Sequence, residues 1–160
     1  MATLLNHDNW QDSVSHGLQG AALATLGTTA VAALAGEVEN RAPLGPINAV
    51  SQILFGDEAA QHDELSAKHT LSGALLNTAA VGSWAVVGEL IYGGKRRPTT
   101  LTGALAAGAT VSAIAYVTDY HIVPERLTPG FEKRLSNQSL LAIYGTLAVA
   151  LGLGMWGRRS

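Results

Sequence analysis

Four long stretches of the chain contain no Asp, Glu, Lys or Arg: Ser13–Gly36, His69–Gly88, Pro98–Thr118 and Leu135–Gly157. All of the chain's charge falls between and beyond them. A helix rises about 1.5 Å per residue, so about 20 residues cross the roughly 30 Å hydrocarbon core of a bilayer. A soluble helix of that length would carry a charged face toward water. The pattern predicts an all-α fold, a four-helix transmembrane bundle forming a single domain, with spans at about 14–36, 69–92, 98–118 and 136–157. The competing reading is a soluble, alanine-rich bundle.

Within the spans, small residues recur every fourth position. Ala24, Thr28, Ala32 and Gly36 do so in the first, Ala104, Gly108 and Ser112 in the third, and Ala148 and Gly152 in the fourth. Lipid supplies no hydrophobic drive between helices, so such residues let backbones approach closely. They would serve either a dimerisation seam or packing inside one bundle; their presence on so many faces favours the second. Pro98 suits the first turn of the third span, and Ser136 or Asn137 can cap the fourth.

The first long loop is more than a turn. Pro43 and Pro46 stop the chain after span one, and Ile47, Val50, Ile53 and Leu54 then recur at helical spacing before Gly56. That segment is too short to span and predicts an interfacial helix in the first outer loop, lying in the interface or folded back onto the bundle. Residues 57–68 read as a solvated acidic helix leading into span two.

Charge then sets orientation and excludes some functions. Lys95, Arg96 and Arg97 occupy a very short turn, and Arg158 and Arg159 directly follow the last span. Positive charge weighs most there, so both termini are expected in the cytoplasm of a multi-pass inner (plasma) membrane protein. Residues 1–16 hold Asp8 and Asp12 but no Lys or Arg, which argues for a retained first span rather than a cleaved signal. A net charge of −2 gives no basic surface for nucleic acid, and with no cysteine there is no thiolate chemistry. Mean hydropathy is only +0.21, because the spans lean on Ala, Gly and Thr.

Polar groups inside a bilayer are candidate functional groups by default. Glu89 is the one acid inside the predicted spans, and Asn77 and His69 lie on a polar stripe of the same span. These three are the candidates for a transport path. The plainer readings are a Glu89 carboxylate paired with Lys95, Arg96 or Arg97, and interhelical hydrogen bonds for the stripe. On the outer face the candidates are Glu37, Glu39, Arg41, Asp119, His121 and Arg126. His62, His69 and His121 near these acids could suggest a divalent cation, but no pair has ligand spacing. No metal and no cofactor is expected. Arg41 and Arg126 are expected to pair with acids of the two outer loops, which should pack together.

The order of features resembles the small four-span bacterial inner-membrane proteins of the YagU type. The shared features are an Ala/Gly-rich first span ending in Glu37–Pro46, a second span opening with His69, and a Pro-Gly loop with Glu132 before span four. The resemblance implies a bacterial inner-membrane location and a link to acid stress. The residues themselves predict no enzyme. They predict a non-enzymatic accessory or structural membrane protein, in contact with the lipid bilayer and with a homo-oligomer or membrane-complex partner. The alternative is a small transporter or channel for protons, cations or a small solute.

Overall fold

A computed structural model describes residues 7–157, and Arg158 and Arg159 of the orientation argument lie outside them. Four long helices form the body: α1 (His7–Asn40), α4 (Ser72–Tyr92), α5 (Leu101–Val117) and α6 (Asn137–Gly157). Two short ones, α2 (Gly45–Val50) and α3 (Gln52–Phe55), lie between α1 and α4. Among the described residues there is no strand. The helical stretches Gln11–Asn40, Ala67–Tyr92, Leu101–Ile122 and Asn137–Gly157 are each long and apolar enough to cross a membrane. α1 packs against both α4 and α6, α6 packs against α5, and α4 meets α5 over a shorter stretch.

Burial decides between the membrane and soluble readings. The interior is built from small residues, with Ala24, Ala32, Ala104 and Ala115 fully buried, while Leu26 and Leu141 are 72% and 73% exposed. A water-soluble bundle would place its leucines inside. Lipid-side hydroxyls are also hidden: Thr78, Thr110 and Thr146 each donate to the carbonyl four residues back, at 2.7–2.9 Å. The hydroxyl hydrogens of these three are thereby kept from facing hydrocarbon. The protein is a multi-pass integral membrane protein.

The small-residue seams are used inside the bundle. A Cβ on Gly108 would lie 2.2 Å from the Ala148 carbonyl oxygen, and one on Gly152 would lie 2.8 Å from that of Ala104. Ser112 adds a buried 2.6 Å hydrogen bond to the Tyr144 carbonyl across the same α5–α6 contact. These residues hold one chain together, the favoured reading of their spacing.

At the end carrying the long loops, the short helical segment is present and is folded back onto the bundle. Every residue from Gly45 to Gln52 is buried. Glycines make room for it: a Cβ on Gly73 would lie 2.1 Å from the Ile47 carbonyl, and one on Gly36 2.6 Å from that of Ala42. Gly130, at φ +83°, approaches the Ala49 carbonyl equally closely.

Two local expectations need correction. Residues 57–68 are not a continuous helix: a 3-10 stretch, Asp57–Gln61, gives way to extended chain because Asn48 captures the carbonyls of His62 and Glu64. Span three begins at Leu101, with Thr100 rather than Pro98 at its start, accepting a 3.0 Å bond from the Gly103 N–H. Ser136 does cap α6, receiving the Ser139 N–H.

Candidate functional site

The polar residues gather at the long-loop end, where α2 and α3 enter the top of the bundle. Asn48 sits at the centre, with no exposed surface. Its amide donates to the carbonyls of His62 (2.9 Å) and Glu64 (3.0 Å), and its oxygen accepts from the Thr70 hydroxyl at 2.7 Å. Gln52, one helical turn on, donates to the Thr128 carbonyl (2.8 Å) and hydroxyl (2.9 Å). Two residues of the first loop thus tie down the second half of their own loop and the opposite loop.

His69 belongs to this layer. It opens the second span on a π turn, Ala67–Leu71, and is buried with Nδ1 3.1 Å from the Ser51 hydroxyl. The His62 ring stacks on it at 4.1 Å, and His62 in turn meets Glu64 at 2.6 Å. Ser51 has no exposed surface and also reaches the Asn48 carbonyl at 2.8 Å. A hydroxyl so enclosed is a structural hydrogen-bonding group, not an available nucleophile.

Around this layer runs a ring of ion pairs. Lys68 reaches Glu58 at 2.8 Å, Lys133 pairs with Asp57, and Arg134 pairs with Asp63 while donating to the Ala60 carbonyl at 2.8 Å. The Lys133 hydrogen bond and charge hold the Asp57 carboxyl below its usual value, and Lys68 does the same for Glu58. Glu64 is lowered by backbone and His62 hydrogen bonds. The two outer loops therefore pack together as expected, but with different partners. Arg41 meets Glu37 only at 3.7 Å, with its side chain 89% exposed. Arg126 donates to the Leu54 carbonyl at 3.3 Å and forms no ion pair among the described residues; Lys133 and Arg134 provide the interleaved charge instead. Glu39 binds the start of α6, accepting from the Ser136 N–H (2.8 Å), the Ser136 hydroxyl (2.7 Å) and the Ser139 hydroxyl.

The three transport candidates do not converge. From His69 to Glu89 is about 30 Å along a helix. Glu89 is buried at the opposite end, where Arg97 donates to it at 2.9 Å and also to the Met155 carbonyl at 3.2 Å. This is the pairing with the basic turn that the sequence offered as the plainer reading. Asn77 lies between the two and donates to the Thr29 hydroxyl at 3.3 Å.

Asn77 also lines a cavity of about 80 Å³ between the bundle and the second long loop, whose walls include Thr28, Trp84, Asp119, Phe131 and Tyr144. Asp119 sits on a second π turn, Thr118–Ile122, which extends span three. Its carboxylate accepts a 2.6 Å bond from the Tyr144 hydroxyl. His121 points elsewhere, its ring 5.8 Å from that of Tyr116. Among the described residues no group of three or more His, Asp or Glu side chains is arranged to hold a metal.

Sequence reasoning missed Asn48, Gln52 and Thr128 as the anchors of the loops, and Tyr144 and Trp84 as the neighbours of Asp119. A signal for the first pair was present: Asn48 and Gln52 interrupt an apolar run at helical spacing. No known family model, curated protein or solved structure matches the chain.

Proposed function

We infer that the protein is a non-enzymatic accessory or structural component of a bacterial inner membrane, acting in a homo-oligomer or a larger membrane complex. The observation that carries this reading is the use of its buried polar groups. Asn48, Ser51, Gln52 and His69 are bonded to loop backbone or to one another, and Glu89 is bonded to Arg97. Each holds a loop or turn against the bundle, so the long-loop end is a fixed folded surface. The resemblance to YagU-type proteins points to the same membrane, and the Lys95–Arg97 turn supports cytoplasmic termini. Purification in a mild detergent followed by mass measurement tests the assembly. An oligomer or a stoichiometric partner is expected, and a strictly monomeric species with nothing bound would overturn it. Reporter fusions at Gly94 and Asp63 should read cytoplasmic and external, respectively.

The second reading, a small transporter, is favoured by the cavity beside Asp119 rather than by Glu89. Flux in proteoliposomes should then survive Glu89→Gln and fail with Asp119→Asn. The opposite pattern would return the path to Glu89.

A further inference from the structure

A carboxylate within a membrane span needs a counter-charge or a proton, because the surroundings cannot solvate it. Asp57, Glu58, Asp63 and Glu89 each have a Lys or Arg partner. Asp119 does not: among the described residues no Lys, Arg or His lies within ion-pair distance of it. It accepts from the Tyr144 hydroxyl at 2.6 Å, and Trp84 lines the same cavity. The charge that it does feel is another acid, Glu132. Glu132 receives the Thr128 hydroxyl at 2.5 Å on one oxygen, and its other oxygen is buried without a hydrogen-bond partner. Asp119 is thus the one acid on the cavity wall, with no base beside it among the described residues, and Glu132 adds to the negative field that it feels.

We propose that this cavity binds a small protonated amine, with Asp119 as counter-ion and Trp84 and Tyr144 as aromatic walls. Size and lining select the class. A cavity of about 150 Å³ takes benzene, so the 80 Å³ here takes about three heavy atoms. Methylammonium and ethylammonium fit; tetraethylammonium does not. An ammonium head donates to a carboxylate and is attracted to aromatic faces. An alkali ion would need about six oxygens, and most of the lining is apolar, including Val50, Leu76, Ile143 and Leu147. The same side chains suit an alkyl group. Ala80 and Leu127 on the wall are exposed, which puts the access route between α4 and the loop after α5.

The site is the cavity on which the transporter reading rests, but its occupancy is measured without flux or assembly, so binding and transport fail separately. The test is a titration of the detergent-purified protein with nitrogen-labelled indoles, the Trp84 resonance being assigned by its loss in Trp84→Phe. Ethylammonium at constant ionic strength should move that resonance saturably, with a midpoint no tighter than about millimolar for so small a ligand. Asp119→Asn should weaken binding at least about tenfold, as the loss of the only charged wall group requires. Should that variant fold poorly, Ala80→Leu, at an exposed position, narrows the cavity with Asp119 intact and should also abolish the shift. The proposal is overturned by the absence of a saturable shift, by potassium or tetraethylammonium matching ethylammonium, or by unchanged affinity in either variant.

Discussion

Replacing Asn48 with Ala should release the first loop without unfolding the bundle. The side chain makes three hydrogen bonds of 2.7–3.0 Å, two to loop carbonyls and one from Thr70. A buried bond is worth about 1 kcal/mol net, and the freed His62 and Glu64 carbonyls lie where water can reach them once the loop lifts. The cost is therefore about 2–3 kcal/mol, a roughly 30- to 150-fold rise in the open population of residues 57–66. A Glu-specific protease cutting at Glu58 and Glu64 reads that population directly when reclosure outpaces cleavage. The cutting rate should rise by that factor, while the thermal midpoint of the detergent-solubilised bundle moves little. Asn40→Ala removes a single 2.6 Å bond from an exposed side chain to the Arg134 carbonyl and serves as the control. A rise in Asn48→Ala below about threefold, the range of an ordinary surface substitution, would refute the anchoring role.

Three further outcomes follow from the same geometry. Gly108→Ala should lower the unfolding midpoint sharply, an overpacking cost of about 1–3 kcal/mol or more since the new Cβ meets backbone, while Gly145→Ala, which faces open space, should be neutral or stabilising; equal midpoints would sink the α5–α6 seam. Arg41 adopts φ +56°, so Arg41→Gly should stabilise the α1 terminus by about 1 kcal/mol despite losing the exposed Glu37 contact, as thermal unfolding would show; destabilisation would mean that the ion pair matters more than the backbone. The folded carboxyls of Asp57 and Glu58 lie below their usual 3.8 and 4.5, so their contribution is complete above those values and is lost as pH falls through the lowered ones. Amide exchange across residues 57–66, corrected for intrinsic rate, should accelerate only below about pH 4.5, and an acceleration already complete above that pH would refute the role of these two ion pairs.

The spans were legible because charge exclusion over 20 residues is a one-dimensional signal, and Ala104–Gly108–Ser112 was legible because helical packing repeats along one axis. The loops were not. Arg126 and Lys133 look alike in sequence, and which one meets Asp57 depends on the turn at Gly130, whose left-handed φ sets the path of the second loop. The acidic run 57–68 reads as helix by propensity, yet Asn48, nine or more residues earlier, pulls part of it into extended chain through His62 and Glu64. Asp119, just past the third charge-free stretch, reads as an outer-face acid. The π turn after Val117 carries it into span three instead, and π turns leave no mark in hydrophobic periodicity.

The two unusual layers of the molecule share one cause. A bundle whose core is alanine and glycine brings backbones together but leaves little side-chain volume to fill its ends. At the long-loop end that space is filled from outside by α2 and the start of α3, eight consecutive buried residues from Gly45 to Gln52. Such a plug carries its own backbone donors and acceptors into the bundle; Asn48 and Gln52 bind it to the surrounding loops, and Ser51 meets His69 at the start of span two. Below it, between α2, Phe131 and the helices, the filling is incomplete, and the remaining space is the cavity beside Asp119. An unfilled space in a small-residue core would ordinarily be apolar and dry. This one has a carboxylate on its wall with no base beside it among the described residues, a feature that the packing does not explain and that the proposed cationic occupant would balance.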